Sequence, residues 1–196
     1  MREIYFLKRF SEKRGDLYVI EENNNVSLRY EYYYILRDDH SNIVVKDPIS
    51  LLVLKGVVES GKYKVDKGTF ISDIYEIGNI SSDFTGLLLS NDRIDELGDA
   101  QINPGFEVKR IFFVDNMPVG AIRGQHAHKT ETEFLYVVKG RFYVKITSGI
   151  KCDKILTQGQ SAVSLPEAWT KVKSLTSDGI VLAFLSEEYN PSGFIF

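Results

Sequence analysis

The sequence has few of the residues that form cross-links and no segment suited to crossing a membrane. Its 196 residues include one cysteine, Cys152, so no disulfide can form within the chain. No apolar run is long enough to span a bilayer, and the first residues lack the apolar segment of a secretion signal. We therefore expect a cytoplasmic protein with no membrane partner.

An excess of either charge is also absent. The formal net charge is −3 and the basic residues form no run, so a nucleic-acid partner is not expected. Hydrophobic residues make up 43% of the chain and aromatic residues 12%, which is enough to bury a core and excludes a disordered protein. The length of 196 residues fits one domain or two small ones.

Only three histidines are present, and two of them, His126 and His128, stand two residues apart. If this segment is a strand, side chains at positions i and i+2 project from one face, so both imidazoles enter the same space. Residues 130–132 are polar and turn-like, so Glu133 is expected to begin the next strand of a hairpin. Its carboxylate would complete a set of two histidines and one carboxylate.

The spacing from Gly120 through these histidines and Glu133 to Gly140 resembles the first signature motif of the cupin superfamily. The segments 108–113, 123–129 and 135–140 resemble, more specifically, the nucleotide-sugar 3,4-ketoisomerases, and the Arg-Gly-Gln-His-Ala-His-Lys core is their most specific part. The similarity covers about residues 101 to 190. Cupins of this kind move the ketone of dTDP-4-keto-6-deoxyglucose from C4 to C3. The resemblance implies an all-β, double-stranded β-helix (cupin, or jelly-roll) fold.

Both halves of the chain consist of short apolar runs between turn residues, which predicts strands throughout. The predicted strands are 15–20, 30–36, 71–77, 86–89, 106–114, 134–138, 142–146, 161–165 and 180–185, with a short helix at 92–97. Three landmarks occur twice in the same order at offsets of about 84 to 96 positions: 50–56 matches 135–140, 66–72 matches 157–164, and 81–90 matches 176–186. We predict two tandem cupin barrels, residues 1–98 and 99–196. The first copy is degenerate, since it holds only the lone His40 near the place of the pair.

The resemblance also implies roles for residues of the second half. His128 is the leading base that removes the C3 proton and His126 is its partner, although the residues themselves do not order the two. Arg123 and Arg110 would bind the diphosphate or steady the enediolate, and Lys129, Glu133 and Trp169 complete the predicted substrate contacts. No cofactor is expected. The expected partner is a nucleotide-linked deoxysugar in bacterial surface-glycan synthesis, and the expected assembly is a homodimer.

Two alternatives stay open on sequence grounds. In the first, His126, His128 and Glu133 bind a divalent metal ion, although the second cupin signature ends in Thr170 and Lys171 where a further histidine ligand is usual. In the second, the barrel binds a sugar nucleotide without turnover, because the chain departs from the resembled family at several positions. It has Glu133 where glutamine is common, Phe112 and Phe113 where tyrosine is common, and Thr170 where histidine is common.

Overall fold

Short runs of β-branched and aromatic residues, separated by turns, form most of the chain into strands. A computed structural model describes residues 3–22, 26–39, 42–148 and 151–196, without the side chains of 98–100. Its strands are β1 (Ile4–Phe6), β2 (Lys8–Glu12), β3 (Gly15–Glu21), β4 (Tyr32–Arg37), β5 (Ile43–Lys55), β6 (Val57–Ser60), β7 (Tyr63–Asp66), β8 (Thr69–Ile77), β9 (Thr85–Ser90), β10 (Gln101–Ile102), β11 (Arg110–Asp115), β12 (Ile122–His128), β13 (Glu133–Lys139), β14 (Arg141–Thr147), β15 (Cys152–Thr157), β16 (Ser161–Ser164), β17 (Trp169–Ser174), β18 (Ile180–Leu185) and β19 (Phe194–Ile195).

Helical structure in the described residues is limited to the short 3-10 segments Asp95–Ala100 and Pro191–Gly193. The predicted all-β class is therefore confirmed. Among the described residues, no helix is long and apolar enough to cross a membrane. His40 lies outside the described residues.

The chain divides into two compact units that are not simple halves of the sequence. Unit 1 comprises Met1–Lys8 and Arg29–Gly105, and unit 2 comprises Arg9–Leu28 and Phe106–Phe196. Residues 9–28 of the N-terminal half thus belong to unit 2, because β3 pairs with β11 from Arg110 opposite Glu21 to Asp115 opposite Asp16. The assignment of one cupin copy to residues 1–98 and another to 99–196 stays a prediction.

Unit 2 consists of two antiparallel sheets that enclose one core. Their strand orders are β16-β13-β18-β11-β3-β2 and β15-β14-β17-β12-β19. The successive strands β11 to β18 are shared between the sheets in the order that defines a jelly roll, which is the fold that the sequence predicts. The core between the sheets contains alternate residues of both, including Val114, Leu135, Val137, Phe142, Val144, Ile146, Val172, Val181, Ala183 and Leu185.

Unit 1 has a six-stranded sheet of order β1-β8-β5-β9-β4-β10 and a separate hairpin, β6-β7. Taken in chain order, strands β4, β5, β8 and β9 of unit 1 correspond to β11, β13, β16 and β18 of unit 2. The two sets have the same spatial order within their sheets, β8-β5-β9-β4 and β16-β13-β18-β11. Its core is apolar and includes Tyr34, Leu36, Ile49, Leu51, Val53, Ile71 and Leu88. The predicted second barrel stays a prediction, and this shared order supports it.

Candidate active site

A bulge in β12 places the histidines on the inner face of unit 2. Arg123 lies opposite Val172 and His126 lies opposite Thr170, with a register shift between Gly124 and His126. The extra residue is Gln125, whose φ of 65° is left-handed, next to Gly124 with a φ of 77°. A Cβ on Gly124 would lie 2.6 Å from the carbonyl oxygen of Thr170, so glycine is required for this close approach. Both histidines consequently face the core.

The two imidazoles are in contact with one another. Their ring centroids are 4.9 Å apart at an interplanar angle of 88°. The ring of Phe194, from the edge strand β19, lies 4.8 Å from His126 and 4.9 Å from His128. Phe194 pairs with His128 across the sheet, which explains why its ring is on the same face. The site is therefore apolar on the side of β19, and His128 is only 7% exposed.

A buried ion pair lies beside His128. One terminal nitrogen of Arg110 donates to both carboxylate oxygens of Glu131, at 2.7 and 3.0 Å. One of these oxygens, Oε2, is also 3.4 Å from Nδ1 of His128. The other terminal nitrogen of Arg110 is 3.7 Å from Glu21, and its guanidinium lies over the ring of Tyr189 at 5.5 Å. Glu131 thus connects a fixed cation to an imidazole.

Burial shifts the protonation of both imidazoles toward the neutral form. It lowers the pKa of His128 to about 4, and the neighbouring charges of His126 and Arg110 act in the same direction. Burial also lowers the pKa of His126, against a hydrogen bond to the Gly124 backbone that raises it. At neutral pH both rings are therefore uncharged and each has a nitrogen able to accept a proton.

The two glutamates of the hairpin show the opposite shift. Burial raises the pKa of Glu131 to about 7, against the lowering effect of Arg110. Burial also raises the pKa of Glu133 to about 7, and the charge of Glu131 adds to this effect. Of the two carboxyls, Glu131 is the one that accepts hydrogen bonds from Arg110, and both can exchange a proton near neutral pH.

Glu133 begins β13 as the sequence predicts, but the carboxylate in contact with His128 belongs to Glu131. Glu133 lies opposite Ser164 and Leu185 and is buried. Within the described residues, no group of three or more histidine, cysteine, aspartate or glutamate side chains has a geometry that could hold a metal ion. The alternative set of His126, His128 and Glu133 as metal ligands is accordingly not favoured.

The remaining predicted residues lie at different places around unit 2. Arg123 is on the inner face, but its guanidinium donates to the carbonyl oxygen of Gly15 at 2.7 Å and lies 3.8 Å from Glu12, so it is occupied by the β2–β3 turn. Lys129 is exposed beyond the end of β12 and its ammonium donates to the carbonyl oxygen of Ser192 at 2.7 Å. In the described part of the chain, the hydrogen bonds and ion pairs of these two side chains are made to residues other than the histidines.

Trp169 lies on the opposite face of β17 from the histidine pair. Thr170, its neighbour, faces inward, since its hydroxyl lies 2.6 Å from that of Ser164 and both residues are buried. Successive residues of a strand point to opposite faces, so the indole of Trp169 is directed away from this cluster. The structure does not bring Trp169 together with His126 and His128.

The structure also separates the two phenylalanines that replace the expected tyrosine. Phe112 packs against the core of unit 2, on the same face of β11 as Arg110 and Val114. Phe113 is on the other face and stacks on Tyr18 with ring centroids 4.5 Å apart. Only Phe112 is therefore placed to affect chemistry at the inner face, and its ring has no hydroxyl to donate or transfer a proton.

Sequence reasoning did not identify Glu131, Phe194 or Tyr189 as parts of this site. Glu131 stands in a polar turn, where a solvent-exposed charge is the usual expectation. Phe194 is far along the chain from the motif and reaches the histidines only because β19 pairs with β12, and Tyr189 contacts Phe194 and the guanidinium of Arg110. No local pattern indicates that pairing.

Comparison with known protein families identifies the family of the chain. Residues 79–196, more than half of the chain, match the family model FdtA, described as WxcM-like, C-terminal. The chain belongs to this family. The resemblance to nucleotide-sugar 3,4-ketoisomerases, inferred from the motif, is thereby confirmed at the family level. No curated protein sequence gives a significant match.

Solved structures similar to the chain are distant relatives. The sugar 3,4-ketoisomerase QdtA from Thermoanaerobacterium thermosaccharolyticum, in complex with TDP, is 21% identical with a TM-score of 0.43, over 46% of this chain and 67% of that one. The TDP-fucose-3,4-ketoisomerase WlaRA from Campylobacter jejuni is 17% identical with a TM-score of 0.44, over 75% and 87%. A 3,4-ketoisomerase from Helicobacter canadensis is 16% identical with a TM-score of 0.43, over 74% and 89%.

Proposed function

We propose that the chain is a 3,4-ketoisomerase of a dTDP-4-keto-6-deoxyhexose and that unit 2 carries the reaction. The observation that carries the proposal is the pair of imidazoles on the inner face of a jelly roll, with ring centroids 4.9 Å apart. Membership of the FdtA family supports an isomerase, and two similar proteins from Campylobacter jejuni are 3,4-ketoisomerases of TDP-quinovose and TDP-fucose. The proposal also includes the identity of the nucleotide and of the sugar.

The chemistry needs proton transfer at two neighbouring carbons. The C4 ketone acidifies the C3 proton, because the electron pair left when the C3–H bond breaks is delocalised as an enediolate. His128 takes this proton through its neutral ring. The protonated His128 passes a proton to the adjacent His126, which donates it as the C4–H bond forms, while the C3 hydroxyl loses its proton and the oxygen on C4 gains one, so both imidazoles end neutral. Two adjacent imidazoles therefore suffice for a reaction without net oxidation.

Charged residues around the pair supply the remaining roles. Arg110 is buried and close to His128 through Glu131, so it is suited to steady the enediolate charge. Lys129 and Glu133 border the same hairpin and are proposed substrate contacts. Arg123 would reach a diphosphate only by leaving the carbonyl of Gly15, and Trp169 faces away, so these two stay predictions from the resemblance.

Binding without turnover is a second candidate, and two observations favour it. Phe112 presents an inert ring to the inner face where a tyrosine hydroxyl is expected. Phe194 lies against both imidazoles, so it restricts access to their ring nitrogens. An enzyme requires that Phe194 move or pack beside the bound sugar, whereas a binding module does not require access to the ring nitrogens.

Incubation with a dTDP-4-keto-6-deoxyhexose in deuterated water tests the proposal. We expect the ketone to move between C4 and C3 with incorporation of solvent deuterium, as followed by NMR and mass spectrometry. His128→Asn should lower kcat by at least about 100-fold while the affinity for the nucleotide falls much less, because asparagine keeps the polarity but cannot act as a base. His126→Asn should also slow the reaction severely, and His40→Asn serves as the matched histidine control with little effect.

The outcome that contradicts the enzyme is binding without chemistry. Wild-type protein that is stabilised against heat by the sugar nucleotide but shows neither isomerisation nor deuterium uptake would establish the binding module instead. Absence of any binding would exclude both candidates for this class of sugar.

A further inference from the structure

We infer that Glu131 is a positioning residue for His128: its carboxylate, fixed by Arg110, keeps the imidazole proton on Nδ1 and leaves Nε2 free to accept the proton from the sugar. The catalytic meaning of this inference rests on the proposed function. The placement of the proton on the ring does not, and it can be measured without any substrate.

The geometry restrains Glu131 more strongly than a surface carboxylate. Both of its oxygens accept from the same nitrogen of Arg110, at 2.7 and 3.0 Å, and the two side chains are only 8% and 5% exposed. A charge-assisted pair of this kind fixes the plane of the carboxylate. Oε2 is thereby held 3.4 Å from Nδ1 of His128. This distance is long for a hydrogen bond, and such contacts commonly shorten when a substrate closes the site.

A carboxylate beside one ring nitrogen selects the tautomer. An acceptor near Nδ1 favours the form with the proton on that nitrogen, and the lone pair is then on Nε2. Arg110 opposes any further proton on the ring, since its charge lowers the pKa of His128. The combination produces a ring that is neutral, correctly oriented and basic at the free nitrogen. Glu131 touches no reacting atom in this arrangement.

The charges around Glu131 determine whether it stays ionised. Arg110 is the cation that pairs with it, and burial is the main influence that raises its pKa. The other titratable groups that face it or its partner come from several elements: His126 and His128 of β12, Glu133 of β13, Glu21 of β3 and Glu187 after β18. Among these carboxyls Glu131 alone makes both short contacts to Arg110, and these contacts favour its ionised form, which predominates above its pKa of about 7.

Nitrogen NMR of protein labelled with 15N-histidine measures the tautomer directly. In the wild type at pH 7.5 we expect one His128 ring nitrogen, Nδ1, to show the chemical shift of a protonated nitrogen and Nε2 that of an unprotonated one. His126→Asn and His40→Asn assign the signals. In Glu131→Gln the preference should be lost, with both His128 nitrogens moving toward averaged shifts. Glu187→Gln removes a neighbouring negative charge without touching the ring and should leave the His128 shifts unchanged.

A proton found on Nε2 in the wild type overturns the inference, and this result needs no variant to fold. A His128 tautomer that is the same in Glu131→Gln as in the wild type also overturns it.

Kinetics then link the tautomer to function. Glu131→Gln should lower kcat by about 10- to 100-fold with KM nearly constant, which is the usual scale for a group that orients a functional imidazole. Glu187→Gln should leave kcat within about twofold. A shifted tautomer with an unchanged kcat would overturn the positioning role. Wild-type protein with the expected tautomer but no isomerase activity would contradict the proposed function and leave the ring assignment intact.

Discussion

Lys55 of unit 1 pairs with Asp83, and Gly56 follows it; in unit 2, Lys139 pairs with Asp178 and Gly140 follows. The two turns share further contacts. Ser81 accepts from the amide of Val57 at 3.0 Å, and Thr176 accepts from the amide of Arg141 at 3.1 Å. The amide of Gly68 donates to Val53, and that of Gly159 donates to Val137, both at 2.9 Å. These matched contacts support the internal repeat predicted from the same landmarks.

The two units differ in what they bury at the other end of the matched strands. When the Lys-Gly turns are aligned, Ile49 of β5 takes the place of Glu133 of β13. In the same way Tyr32 of β4 takes the place of Arg110 of β11, since Tyr32 pairs with the last residue of β9 and Arg110 with the last residue of β18. Unit 1 therefore has Ile49 and Tyr32 where unit 2 has a buried carboxyl and a buried arginine, and Asp47, in the place of the buried Glu131, is exposed.

This difference supports the proposed location of the reaction in unit 2. Burial of ionisable groups is expensive even when they are paired, and a well-packed apolar residue is often as stable or more so. Because Ile49 fills the equivalent position in unit 1, folding of unit 2 does not require a glutamate at position 133. The polar cluster of unit 2 therefore fits the reaction proposed for the histidines.

The largest expected effect comes from placing the charge of unit 2 in unit 1. Ile49→Glu should lower the free energy of unfolding by about 3–5 kcal/mol, because Ile49 is 1% exposed and no arginine stands in the place of Arg110. Urea unfolding followed by circular dichroism measures this loss. Lys46→Glu, at an exposed position of the same strand, is the control and should cost less than about 1 kcal/mol. A loss as small as that of the control would show that unit 1 tolerates charge at this end, and the contrast between the units would fail.

The converse change, Glu133→Gln, removes a buried ionisable group from unit 2, and its effect on stability should depend on pH. The folded-state pKa of Glu133 is raised to about 7, above the 4.5 of an ordinary glutamate, so its protonated form is favoured by folding. Its contribution to stability is full below pH 4.5 and is lost as the pH rises toward 7. Glutamine does not ionise. The variant should therefore gain stability over the wild type by up to about 3 kcal/mol between pH 4.5 and 8.

Measurement of unfolding free energies at several pH values for both proteins tests this sign, since their difference cancels the opposite dependence of the histidines. If the difference in unfolding free energy between the two proteins does not change with pH, then folding does not raise the pKa of Glu133.

The sequence predicted the parts of the fold that depend on local pattern. The apolar alternation around β13, β14 and β18 and the turn glycines gave those strands close to their observed bounds. The predicted strand 106–114 begins only at Arg110, and the predicted helix at 92–97 is a 3-10 segment at Asp95–Ala100. Periodicity does not show where pairing starts, and short helical turns have little hydrogen bonding of their own.

The site was predictable only as far as β12 and its hairpin. The spacing of His126 and His128 identified a shared face, but it did not show that Gln125 forms a bulge that brings Arg123 to that face as well. Glu131 was missed because burial of a turn residue depends on Arg110, which is distant along the chain. Long-range pairing of β3 with β11 and of β19 with β12 has no local signature.

Substitution of the matched glycines tests the shared turn. Gly56 and Gly140 have φ angles of 75° and 83°, and an added Cβ would lie 2.8 Å from the Cα of Phe84 in unit 1 and 2.8 Å from that of Gly179 in unit 2. Gly56→Ala and Gly140→Ala should each destabilise the protein by at least about 1 kcal/mol, since alanine is strained at such φ angles and the backbone contact adds to the cost. Thermal unfolding of both variants checks this. A clear loss in one variant and none in the other would show that the two turns only look alike.

The smallest expected effect concerns the hydroxyls that close these turns. Ser81→Ala removes the acceptor for the Val57 amide in unit 1, and Thr176→Val removes the acceptor for the Arg141 amide in unit 2. Each change deletes a hydrogen bond near the surface, where water can replace it in part, so each should cost about 0.5–1.5 kcal/mol. The two losses should agree within the error of urea unfolding if the turns are equivalent in energy as well as in geometry. Ser81 also donates to Asp83 at 2.8 Å, but that bond is exposed and water replaces it, so its loss adds little to the cost. A cost confined to unit 2 would mean that the Lys-Gly turn of unit 1 no longer depends on its hydroxyl, which would extend the divergence of the two units from the strand end to the turn itself.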